Sequence, residues 1–142
     1  MEIAEMTVVI MKKLSEGVVA RYIGVDHAKR RWYHHIIMNT KKISQLKKIA
    51  VPILRSKGVE YAALFGSAAR GDDTQGSDVD ILVRFSKPVS LLKHVNVAFA
   101  LQDALRKKVD VITEQSLNRY LVPHIKADLH VLYGKGKRRD LL

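Results

Sequence analysis

Cysteine is absent from this chain, which excludes disulfides and thiolate metal sites and leaves carboxylates and histidines as the available metal ligands. Long apolar runs are absent too. Charged or polar residues interrupt every hydrophobic stretch well short of the roughly 20 residues that a bilayer span requires. Glu2 and Glu5 stand where a secretory signal would carry positive charge, and the run Val8-Val9-Ile10-Met11 is too short for its apolar segment. A cytoplasmic protein without a membrane span is expected. Aromatic residues that could stack bases are scarce, and no helix-turn-helix, zinc-finger or RNA-binding signature occurs, so direct sequence-specific nucleic-acid binding is not expected. Acidic residues are outnumbered, 14 against 25 lysines and arginines. The resulting charge of +11 would attract nucleic acid, an anionic nucleotide or an acidic protein, and does not choose among them.

With 142 residues there is room for one compact domain. A composition 47% hydrophobic and 27% charged belongs to a folded chain rather than a disordered one. Residues 1–37 read differently from the rest: a short apolar stretch gives way to the basic, aromatic run Lys29-Arg30-Arg31-Trp32-Tyr33-His34-His35, without a catalytic pattern. They are read as an N-terminal extension of uncertain structure, with a small domain over 38–134 and a basic tail over 135–142. Ile43, Leu46, Ile49, Ile53 and Leu54 recur at helical spacing, and Pro52 is expected to end or kink that helix. Val59–Phe65 predicts a strand closed by Gly66-Ser67, and a turn-rich loop from Arg70 to Gly76 leads to a second strand, Val79–Phe85. A helix is predicted over Ser90–Lys107, a third strand over Val109–Ile112, and a last helix from Ser116 as N-cap to Tyr133, ended by Gly134 despite Pro123 inside it. The order helix, strand, strand, helix, strand, helix places the chain in the mixed α/β (α+β) class, a small sheet covered by helices.

Three acids sit at the starts of these strands. Alternate residues of a strand share a face and lie roughly 6.6 Å apart along it, so Asp78 and Asp80 can aim at one point. Their face continues with Leu82, while Val79, Ile81 and Val83 form the other. The third strand repeats the design, with Asp110 and Ile112 opposite Val109 and Val111. If the two strands are neighbours, three carboxylates crowd together and require protons or a cation. Mg²⁺, which takes oxygen ligands and substrate phosphates, suits them. At Gly66 the backbone can approach a phosphate, and Ser67 can donate to it with N–H and hydroxyl.

Gly66-Ser67, ten intervening residues, Asp78-Val79-Asp80 and then Val109-Asp110-Val111 together resemble the DNA polymerase β-like nucleotidyltransferase superfamily, and within it the minimal nucleotidyltransferase (MNT) antitoxins of HEPN/MNT toxin–antitoxin systems. The wording of Leu64–Gly71 and Ser77–Val83 is similar to that family almost throughout, over approximately residues 38 to 133. The resemblance implies the polymerase β-like nucleotidyltransferase fold. It also implies that Asp78 and Asp80 bind Mg²⁺, with Asp110 completing a two-ion site and assisting deprotonation of the acceptor. Ser67 and the backbone at Gly66 would hold the β- and γ-phosphates of ATP, with Arg70 either a further phosphate contact or a surface residue. The implied activity is transfer of AMP to a tyrosine of a cognate HEPN ribonuclease toxin, with release of pyrophosphate. Alternatives are a non-catalytic antitoxin that neutralises by binding and a nucleotidyltransferase acting on a small molecule.

Other residues carry simpler expectations. Asp72 and Asp73 are read as turn formers. His34 and His35 point apart if extended, and His124 and His130, six apart on the predicted last helix, do not share a face, so neither pair offers a base or a metal site. Leu117, Leu121, Ile125, Leu129 and Leu132 are expected in the core, some of them at a partner interface.

Overall fold

The computed structural model describes residues 27–135. The expectations for the apolar run Val8–Met11 and for most of the basic tail fall outside them. The chain divides between Met38 and Asn39 into two units. Within the first, residues 27–38 are helical, so the adjacent His34 and His35 lie on a helix and not on an extended segment. Apart from the first residues of helix α1, all that follows concerns the second. Among the described residues no helix is long and apolar enough to cross a membrane.

Helix α1 is His27–Ser56. Ile43, Ala50 and Leu54 are buried and repeat at the spacing that keeps one helical stripe on a core. Pro52 does not end the helix. It lies inside the helix just before the last turn, and the chain stays helical to Ser56. The amides of Lys57 and Gly58 then close onto the Ile53, Leu54 and Arg55 carbonyls.

Strand β1 follows as Val59–Phe65, then a single helical turn α2, Ser67–Arg70, and strand β2, Val79–Phe85. Helix α3, Leu91–Leu105, begins at Ser90, whose hydroxyl accepts the Lys93 amide. Strand β3 is Val109–Thr113. The sheet order is β3-β2-β1 with one further strand beside β1. β1 and β2 are antiparallel and β2 and β3 parallel, so α3 is the crossover that parallel neighbours require.

Both faces of this sheet are covered, which explains the nearly continuous apolar character of β1 and β2. Ala62, Leu64, Val79, Ile81, Val83, Val109 and Val111 pack with the buried residues of α1 and α3, including Val97 and Leu101. Tyr61, Ala63, Phe65 and Leu82 face the other way, with Ile125 and Leu129.

The C-terminal segment corrects the sequence reading, since no helix runs from Ser116 to Tyr133. A 3-10 turn, Glu114–Ser116, is followed by a turn in which Asn118 accepts the Tyr120 amide through its side chain and the Leu121 amide through its carbonyl. Helix α4 is only Val122–Asp128, with Pro123 in its first turn, where a missing N–H costs nothing. His130–Tyr133 then forms strand β4, antiparallel to β1, with Leu64 opposite His130. Ile125, Leu129 and Leu132 are buried as expected, while Leu121 stays exposed. His124 and His130 thus belong to different elements.

Gly134 ends β4 rather than a helix. It sits at φ 96°, and a Cβ there would lie 2.7 Å from Tyr61 Cα and press on the Glu60 carbonyl oxygen. Gly134→Ala is therefore expected to destabilise the fold by about 2 kcal/mol or more, read as a lowered urea midpoint.

Candidate active site

The end of β1 meets the starts of β2 and β3. Because β1 and β2 are antiparallel, Phe65 is the register partner of Asp80, and because β2 and β3 are parallel and in step, Asp80 is the partner of Asp110. Neighbouring strands lie about 4.8 Å apart, so two of the three sequence-predicted acids are direct neighbours. Asp78 stands just before β2, at the mouth of the same edge. A turn sets its approach: the Thr74 amide donates to Ser77 Oγ at 2.8 Å, and the Ser77 amide to the Thr74 carbonyl at 3.1 Å.

Asp80 is half-buried, and its carboxyl is held above the ordinary carboxylate range, first by burial and then by the charges of Asp110 and Asp78; Arg70 and Lys108 oppose the shift. Asp78 reaches Lys108 Nζ at 3.5 Å. The cost of uncompensated negative charge is borne at Asp80. As they stand, no group of three or more histidine, aspartate and glutamate side chains among the described residues is arranged to hold a metal ion. The donor set itself is all oxygen, carries excess negative charge at Asp80, and so matches the chemistry of Mg²⁺.

Gly66 leaves the space that the same carboxylate occupies. At φ 73° and ψ −155° it occupies a region open essentially to glycine alone, and a Cβ built there would lie 2.5 Å from Asp80 Oδ2. From Gly66 the chain turns through α2, whose Ala69 and Arg70 amides return to the Gly66 carbonyl. Ser67 is half-buried at its start.

Arg70 pairs with two acids outside the triad. Its guanidinium holds Asp128 Oδ2 at 2.6 Å and Asp72 Oδ2 at 3.2 Å, which ties α2 to α4 and to its own loop. Asp73 is more than a turn former. Its side chain is 7% exposed and lies between Lys42 of α1, at 3.7 Å, and Lys107, at 3.4 Å. Asn39, which sequence reasoning passed over, donates from Nδ2 to the Ala69 carbonyl at 3.2 Å and fills the space beside Gly71. The signal for both lay in residues distant along the chain, and no local pattern marks them. A cavity of about 470 Å³ opens at the opposite ends of β2 and β3, lined in part by Phe85, Lys87, Ser90, His94 and Glu114. It holds none of the three acids.

The family model described as polymerase beta, nucleotidyltransferase matches residues 47–138. The chain belongs to that family. It is a nucleotidyltransferase, and the fold expected from the motifs is the one observed. A Methanocaldococcus jannaschii protein provisionally named a protein adenylyltransferase is 41% identical over 83 residues, which span 58% of this chain and 89% of that protein. A chain of a toxin–antitoxin crystal structure with AMP-PNP superposes with a TM-score of 0.58 at 24% identity, over 66% of this chain and 77% of the other. A chain from the structure of a tri-AMPylated Shewanella oneidensis HEPN toxin in complex with MNT antitoxin does so with a TM-score of 0.54 at 21% identity, over 66% and 73%. At these identities the two structures speak for the fold alone.

Proposed function

We propose that this nucleotidyltransferase is an antitoxin that transfers AMP from ATP to a tyrosine hydroxyl of a cognate HEPN-domain toxin in a Mg²⁺-dependent reaction and thereby neutralises it. The observation that carries the reading is the register of Asp80 beside Asp110, with Asp78 at the same edge and Gly66 against the Asp80 carboxylate. The name of the relative supports protein as the acceptor class, and the likeness of the motifs to the MNT antitoxins supports a HEPN toxin as the partner.

In this mechanism Asp78 and Asp80, completed by Asp110, are the residues that would hold Mg²⁺, as two ions. The metal would supply neutralisation of the triphosphate and of the oxygens whose charge grows as the phosphoryl group transfers. The backbone at Gly66 and the Ser67 hydroxyl would hold the β- and γ-phosphates. The acceptor oxygen attacks the α-phosphorus in line, the bond to the bridging oxygen of the β-phosphate breaks, and pyrophosphate leaves with that electron pair. The hydroxyl proton passes to Asp110. Arg70 pairs with Asp72 and Asp128 and so serves the loop that presents Ser67, while its charge also acts on Asp80. Residues 38–134 suffice for this chemistry, with 1–37 an extension.

Incubation with labelled ATP, Mg²⁺ and the cognate toxin is expected to label a toxin tyrosine; absence of transfer to the toxin contradicts the reading. A second reading is neutralisation by binding alone. It requires Asp78→Ala/Asp80→Ala to neutralise the toxin as well as wild type does, whereas the catalytic reading requires that variant to fail.

A further inference from the structure

Two side chains of α3 hook the outer edge of β3 on either side of Asp110. The Val109 amide donates to Gln102 Oε1 at 3.3 Å, and His94 Nε2 lies 2.8 Å from the Val111 carbonyl oxygen. A carbonyl only accepts, so Nε2 carries the proton and His94 is the donor. Successive residues of a strand turn their backbone groups to opposite edges. Val109 and Val111 therefore address α3, and the groups of Asp110 between them address β2, where the Val79 amide also bonds the Lys108 carbonyl at 2.9 Å. The eight residues from His94 to Gln102 rise about 12 Å, with both on one side of the helix, and α3 runs opposite to β3. Asp110 is thus pinned from both edges of its strand.

An edge strand needs cover, and the buried Val97 and Leu101 of α3 already give it through the core. The two hydrogen bonds do something apolar packing cannot: they fix β3 along its length, and a slip there would carry Asp110 out of step with Asp80. We infer that Gln102 and His94 are positioning residues that hold Asp110 in register for the proposed transfer. The inference rests on the metal-dependent reading of the three acids.

The test uses the full chain, Mn²⁺ as the probe and the labelled transfer assay beside it. Gln102→Met fills nearly the same space without an acceptor for the Val109 amide, whereas Gln102→Glu keeps one. Gln102→Met is expected to weaken Mn²⁺ binding about tenfold and to lower kcat similarly, with KM for ATP near wild type. Gln102→Glu is expected to remain within about twofold of wild type on both. His94→Met should behave as Gln102→Met does, and His94→Gln, which retains a donor, should recover. If Gln102→Met lowers only the urea midpoint and leaves Mn²⁺ affinity and kcat intact, or if the Met and Glu variants fall together, the assignment is overturned while the proposed function stands. If wild-type Mn²⁺ binding persists in Asp80→Asn, both are overturned.

Discussion

Asp80→Asn is expected to lower AMP transfer by about a thousandfold or more and, at neutral pH without metal, to raise the thermal midpoint. The two effects have one cause. Asp80 is the acid with one carboxylate neighbour just before its own strand and another across the sheet, and its carboxyl is held above the ordinary range by burial and by those neighbours. A carboxyl whose folded pKa exceeds its unfolded one binds protons more tightly in the folded state. Stability is therefore undiminished below the unfolded value, about 4, and falls as pH rises through the window up to the folded value. Asparagine keeps the shape and removes the charge. The stabilisation by Asp80→Asn should accordingly be present at pH 7 and vanish at pH near 4. Mg²⁺ should raise the wild-type midpoint and leave the variant's unchanged, because only a ligand that binds the folded state stabilises it. Differential scanning calorimetry with and without EDTA reads all three. A variant less stable than wild type at pH 7 without metal would contradict this view of Asp80.

Gly66→Ala is expected to lower transfer about a hundredfold while the chain still folds. The backbone at φ 73° and ψ −155° resists any Cβ, a strain on the order of 1–3 kcal/mol. The new methyl would also sit 2.5 Å from Asp80 Oδ2. A carboxylate is the end of a side chain and gives way more readily than the sheet, so the cost appears as a displaced acid. Far-ultraviolet circular dichroism should remain that of wild type. The losses from Gly66→Ala and Asp80→Asn should not add, since the first acts largely through the second. Additive losses would mean that Gly66 serves the phosphates alone.

Much of this was legible in the sequence because the informative patterns are local. Strands β1 and β2 carry apolar residues on both faces and are bounded by glycines, by Asp78 and by Ser86-Lys87-Pro88, so their limits are read directly, and the faces assigned to Leu82 and to Val79, Ile81 and Val83 are those observed. That β2 and β3 are neighbours in step could not be read, yet it places Asp110 against Asp80. The C-terminal misreading has a definite origin. Leu117, Leu121, Ile125 and Leu129 follow one another every four residues, which mimics a continuous helix, while a four-residue strand is too short to display alternation. Pro123 and Asn118 were the contrary signals: a proline favours the first turn of a helix, and Asn118 builds the turn before it. Asp73 was read as a turn former because its cations, Lys42 and Lys107, lie far along the chain in either direction.

In the proposed reaction Asp78, Asp80 and Asp110 together bind a divalent cation with ATP. Titration of Mn²⁺ into the protein with saturating ATP, followed by electron paramagnetic resonance in wild type and in the three single asparagine variants, tests it without a partner protein. Binding in wild type that is lost in Asp80→Asn and strongly weakened in Asp78→Asn and Asp110→Asn is the result expected; equal binding in all four proteins would contradict it.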